Sequence, residues 1–270
     1  MSSKSNLSVK EQRRRKIRRR VTIRLTIFFF AIIGFINTFN FIFEQGKNFV
    51  TSIFYEEDIE NDEEAILANV DENKFTICID AGHGSHDEGT KSDSGVKEKN
   101  INLKVALKLG KMLEQEDVNV IYTRKSDNLS WRGDEIKDLE ERVKISNRAK
   151  ADVFISIHCN GGEDETYNGI ETWCRYPNSD GERLAELVQT KLISLNYSPN
   201  RGIKYESDGE LAVLKNNNAV SILIEMGFLT NKTDLEYMNS SIGQENIAAA
   251  IADSIMEYKK ENWDKDTTAE

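Results

Sequence analysis

The chain has 270 residues and a formal net charge of −10, enough for one sizeable domain with accessories. Residues 1–24 hold ten Lys or Arg against one acid, Glu11, so everything after them is strongly acidic. An acidic body excludes nucleic acid as substrate, because binding phosphate takes concentrated positive charge. Three cysteines, none in a CxxC pair, make no disulfide framework and read as small packing residues.

The basic run Arg13 to Arg20 precedes Leu25 to Phe43, nineteen residues without a charge. As a helix this stretch is roughly 28 Å long, about the hydrocarbon thickness of a bilayer. Positive residues before it and acids after it predict an anchor with the N-terminus in the cytoplasm and the body outside. Were it cleaved as a signal, the body would be secreted. Glu56 to Glu72 holds nine acids and no base, a solvated spacer. The expected division is a basic segment 1–24, a transmembrane anchor 25–43, an acidic linker 44–73, a catalytic domain 74–262 and a polar tail 263–270.

From Phe75 onward, strand and helix patterns alternate. Phe75 to Ile79 is apolar or nearly so on both faces and runs through Asp80 into Gly82-His83-Gly84, where the glycines let the chain turn and present His83. A helix is expected from Asn100 to Glu116 with Leu103, Ala106, Leu107, Gly110 and Leu113 inward, then a strand over Val118 to Thr123. A helix from Asp138 to Lys150 and a strand from Val153 to Ile157, ending on His158, come next. Gly169 to Trp173, Leu211 to Leu214 and Val220 to Ile224 read as strands. Glu182 to Leu195 and Gln244 to Tyr258 read as helices. The alternation predicts an α/β fold: a mainly parallel twisted sheet of about six strands with helices on both faces.

His83 and His158 fall at the C-terminal ends of apolar strands, and Glu225 follows another. In a parallel sheet those ends share one edge, so residues distant in sequence converge there. Catalytic zinc takes three His or carboxylate ligands and leaves a position open. His83 and His158 supply nitrogen; the third ligand has to be a carboxylate near the first loop. Glu98 is the choice, against Asp87, Glu88 and Asp93, which composition alone does not separate. Glu98 is also explained as a helix-start acid stabilised by the dipole. Glu225, charged and directly after an apolar strand, reads as a general base. Asn160, two residues past His158, is a candidate substrate contact, and His86 reads as surface.

From about Lys74 to Tyr258 the chain resembles the zinc-dependent N-acetylmuramoyl-L-alanine amidases of bacterial cell walls, the amidase-3 family. The resemblance rests on Asp80-Ala81-Gly82-His83-Gly84, Glu98 with Asn100 and Leu103, Thr123 to Asp127, Leu139-x-x-Arg142 with Ser146-Asn147, Ala151 to Asn160, and Leu223 to Asn231. It implies one Zn2+ per chain on His83, Glu98 and His158, with Glu225 as catalytic carboxylate, and selects Glu98 over its acidic neighbours. It implies peptidoglycan as substrate and leaves room for an activating protein partner. The anchored architecture resembles sporulation-associated members, which act on spore cortex. Many members carry proline where Ala81 stands and a small aliphatic residue where Cys159 stands. Two other readings compete: a catalytically silent wall-binding module, and a cysteine hydrolase using Cys159. Strand alternation points Cys159 away from His158's side.

Overall fold

In a computed structural model, the structure describes residues 70–129, 135–209 and 211–266, together with Thr38. The chain divides into two compact units, Met1–Asp58 and Ile59–Glu270; the sheet and its helices belong to the second. The expected membrane span lies outside the described residues except for Thr38. Among the described residues no helix is long and apolar enough to cross a membrane.

Six strands form one sheet: β1 (Thr76–Ala81), β2 (Asn119–Tyr122), β3 (Val153–Asn160), β4 (Ile170–Cys174), β5 (Asn200–Tyr205) and β6 (Val220–Phe228). Their order across the sheet is β2-β1-β3-β6-β4-β5. All neighbours run parallel except β4 and β6. The sheet is thus mixed: β4 reverses direction, so the starts of β4 and β5 share a rim with the ends of β1, β3 and β6.

Among residues 70–266 as described, six helices accompany the strands: α1 (Glu98–Leu113), α2 (Glu135–Arg148), α3 (Asp180–Ser194), α4 (Ala212–Lys215), α5 (Lys232–Asn239) and α6 (Ser241–Asp266). They cover both faces. Ile77, Ile79, Ile155, Ile157, Ile222 and Ile224 pack with Leu109 of α1, Leu184 and Val188 of α3, and Ile247, Ile251 and Ile255 of α6. On the other face Cys78, Phe154 and Leu223 pack with Val143 of α2 and Val213 and Leu214 of α4. The alternation within β1, β3 and β6 explains why these strands read as continuous apolar runs: each face has its own cover. Truncating one of the fully buried isoleucines to alanine costs about 2–5 kcal/mol.

Several expectations are corrected. Helix α1 starts at Glu98, so Asn100 lies inside it and Lys97 is the N-cap. Its buried stripe is Ile101, Val105, Leu109 and Leu113 with Ala106 and Gly110; Leu103 is half-buried and Leu107 exposed. Leu103 and Leu107 offer a second apolar stripe beside the buried one, and packing against both the sheet and α6 decides between them. A Cβ on Gly110 would stand 1.8 Å from the Tyr122 hydroxyl, which is why that position carries no side chain. Ala212 to Leu214 are helical, with Leu211 as the extended N-cap, and do not form a strand; four apolar residues are too few for periodicity to choose. Strand β5 and helix α5 are additions to the expected elements. Helix α6 reaches Asp266, taking in the start of the expected polar tail, and Trp263 packs edge-on against Phe75 at 5.4 Å. The last linker residues also fold on: Asn119 donates to the Asp71 carbonyl and accepts from its N–H.

Candidate metal centre at the sheet rim

The loop after β1 carries His83 in a left-handed conformation at φ 62°, followed by Gly84 at φ 139°. The strain therefore sits on the histidine itself. Gly82 serves a different need from the one its sequence position suggests. A Cβ there would stand 2.2 Å from His158 Nε2, so its bareness lets the second imidazole lie against the loop.

Two arginines hold this loop from beneath. Arg142 of α2 donates to the carbonyls of Ala81 (2.9 Å) and His83 (2.8 Å) and pairs with Asp80 at 2.7 Å. Arg124, just past β2, donates to the carbonyls of Ala81 (2.8 Å), Gly82 (3.0 Å) and Lys99 (2.9 Å). Asp80 also accepts from the Thr123 and Ser156 hydroxyls, each at 2.6 Å. Burial opposes its charge, yet Arg142 and those hydroxyls hold its carboxyl below the usual range. Asp80 is thus a structural anchor for the loop and does not touch His83's ring.

Asp87 does. Its Oδ2 lies 2.7 Å from His83 Nδ1, fixing the ring and leaving Nε2 to face inward. Composition offers Asp87 only as a competing ligand, and the structure gives it this orienting place. Its signal in the sequence is the four-residue step from His83 through a turn closed by Gly84 and Asp87. His86, read as surface, takes no place among the clustered side chains.

His83, Glu98 and His158 present ligand atoms all within 4.8 Å of one another. Glu98 Oε1 is 3.1 Å from His83 Nε2 and 3.0 Å from His158 Nδ1. The ring centroids of the two histidines are 4.8 Å apart. Glu98 opens α1 and is buried; its Oε1 accepts from the Cys159 N–H (3.0 Å) and the Asn102 amide (3.2 Å), its Oε2 from the Thr90 N–H (2.8 Å). Despite burial, the two imidazoles press its pKa far down. They do so reciprocally: Glu98 and Asp87 raise His83 to about 9 against its desolvation.

Glu225 stands directly opposite His158 in the β3–β6 register, and directly opposite residues share a face. Its Oε2 is buried and has no hydrogen-bond partner. Burial, then Glu98 and Glu171, push its pKa well above the usual carboxylate value. Asn160 sits at the same rim, where its amide donates to Glu171 (3.2 Å) and its carbonyl oxygen accepts from the Gly161 N–H (2.9 Å). Cys159 points into the opposite core, its Sγ 3.4 Å from Asn102 Oδ1, and burial raises its pKa well above the ordinary thiol value. A buried, protonated thiol on the far face does not support the cysteine-hydrolase reading.

Two imidazoles and one carboxylate, clustered around a shared space with Glu225 opposite His158, form a donor set that could hold a divalent ion. Residues 77–257 match the Amidase_3 family, described as N-acetylmuramoyl-L-alanine amidase. The chain belongs to that family. It is 32% identical over 185 residues to the N-acetylmuramoyl-L-alanine amidase LytC of Bacillus subtilis, covering 68% of this chain and 35% of that protein. It is 28% identical over 195 residues to the germination-specific N-acetylmuramoyl-L-alanine amidase of the same organism, covering 70% of this chain and 81% of the relative. The solved CwlD amidase of Clostridioides difficile, in complex with the GerS lipoprotein, is 33% identical and superposes with a TM-score of 0.63, covering 70% of this chain and all of that one. The chain is accordingly an enzyme that hydrolyses an amide bond of peptidoglycan, and the silent wall-binding reading is set aside.

Proposed function

We propose that this amidase is zinc-dependent, with His83, Glu98 and His158 as ligands and Glu225 as the catalytic carboxylate, and that it cuts between N-acetylmuramic acid and L-alanine. The observation that carries the reading is the convergence of three ligand-type side chains from β1's loop, α1 and β3 beside Glu225, one of whose carboxyl oxygens is buried without a hydrogen-bond partner among the described residues. A zinc ion supplies Lewis acidity, polarising the scissile carbonyl and acidifying water. The chain's own groups do the rest. Glu225 takes a proton from the attacking water and returns it to the departing alanine nitrogen. Asp87 holds His83's ring, and the two arginines hold its backbone.

The body acts outside the cytoplasmic membrane, tethered by residues 25–43 with the basic segment inside. The similarity to the germination-specific relative supports a role in spore cortex, where removing peptide stems is the first step towards muramic δ-lactam. The solved relative in complex with a lipoprotein supports an activating protein partner here as well. The test pairs metal analysis with digestion of purified peptidoglycan by wild type and Glu225→Gln. About one zinc per chain is expected, and new N-terminal alanine from wild type alone. A metal-free, fully active enzyme would overturn the reading. Spores lacking the protein should lose cortex lactam, and an unchanged cortex would remove the sporulation role.

A further inference from the structure

At the rim, a row of charged side chains crosses four strands. His158 faces Glu225 across β3 and β6, and Glu225 faces Glu171 across β6 and β4. The row continues onto β5 through an irregularity. Ile170 pairs with Asn200 and Glu171 with Gly202, so Arg201 is the extra residue of a β-bulge. Gly202 takes φ 78° there. Bulges re-aim side chains, and this one turns Arg201 back over the rim, where its Nε donates to Glu171 Oε2 at 2.7 Å.

Three further contacts fix that arginine. Its guanidinium lies over the Phe228 ring, 4.9 Å from the centroid. Its stem crosses Gly169, where a Cβ would come within 2.5 Å of Arg201 Cγ and Cδ. Nη1 reaches only the Asn168 carbonyl, at 3.5 Å. Glu171 needs nothing more from it, since the Asn160 amide and the Trp173 indole N–H also donate to Glu171, each at 3.2 Å. Arg201 is therefore immobilised through Nε, while these contacts leave Nη2 and the second hydrogen of Nη1 unused, with the side chain 37% exposed.

We propose that Arg201 is a specificity-determining residue that receives a carboxylate of the substrate's peptide stem, the free α-carboxylate of its second residue. The inference rests on the amidase reading. A guanidinium fork matches a carboxylate in a planar, two-pronged geometry, and one already fixed in place loses little entropy on binding. Strands are about 4.8 Å apart, so β5 lies roughly 10 Å from Glu225's strand. An extended peptide advances about 3.3–3.6 Å per residue, which brings a group on the second stem residue into the arginine's reach. Glu171 and Asn160 then act as positioning residues for Arg201.

The experiment compares two muramoyl tripeptides that differ only in whether the second residue carries a free α-carboxylate or a carboxamide. Wild type is expected to prefer the carboxylate by about tenfold or more in kcat/KM, the discrimination a charge-assisted hydrogen-bonded pair provides. Arg201→Ala is expected to bring the ratio near one, mainly through KM, and Arg201→Lys to fall between. A purely structural role for Arg201 lowers both substrates alike and leaves the ratio untouched, and that result overturns the inference. So does a wild type that cleaves both substrates equally, which leaves the amidase reading standing. Cleavage of neither overturns both.

Discussion

Two nests of buried charge lie a few residues apart in this protein, and they are built on opposite principles. Under the His83 loop, Asp80 accepts from Arg142, Thr123 and Ser156, and both arginines spend their donors on backbone carbonyls. Around Glu98 the balance fails: one carboxylate is shared by two imidazoles, and one oxygen of Glu225 has no hydrogen-bond partner among the described residues. Buried charge that is fully matched holds a shape; buried charge left unmatched holds a free-energy gradient that a ligand or a reaction can release.

The sharpest way to expose that difference is Glu225→Gln. Activity should fall by about 10²–10⁴-fold, the usual contribution of a general base, while thermal stability stays level or rises. A large drop in Tm would show that Glu225 belongs with the structural nest. Arg142→Met should do the reverse, costing about 3–5 kcal/mol in urea unfolding because Asp80 is left buried and uncompensated. Adding Asp80→Asn should recover part of that loss; if the double variant is no better than the single, the pairing is not what stabilises the loop.

Asp87→Ala probes the join between the two regions. Asp87 is partly exposed, so stability should barely change, but metal affinity should weaken about 10–100-fold as His83's ring comes loose. Unaltered affinity would deny Asp87 its orienting role. A last effect is one of pH. His83 in the metal-free protein is raised to about 9, so at neutral pH a proton competes with the ion. Affinity should therefore climb as pH rises towards about 9 and level off above it, with proton release on loading. Competition against a chelating dye between pH 7 and 9 reads this, and a flat profile would refute it.

Much of this is legible in the sequence because apolar strands that stop on His83, His158 and Glu225 leave few places for those side chains to go. Glu98 is legible only as one acid among four until the resemblance chooses it. What stays hidden depends on tertiary contacts. Nothing local tells Arg124 and Arg142 from solvated surface arginines, since their partners are carbonyls of a loop about 40 and 60 residues away. Strand β5 escapes notice because Asn-Arg-Gly-Ile-Lys-Tyr lacks alternation, and its bulge is what breaks the pattern. Gly82 reads as a residue needed for backbone freedom, whereas the reason for it is the imidazole resting on it, a neighbour that sequence does not disclose.

The reversal of β4 has a wider consequence. On one side of Glu225 the rim is made of the endings of β1 and β3, which carry His83 and His158. On the other side it is made of strand beginnings, Glu171 and Arg201, each entered from a short surface connection, residues 161–169 and 195–199. Insertions or deletions in those connections can retune what the enzyme accepts without disturbing how it cuts, so divergence among such enzymes should gather on that half of the cleft.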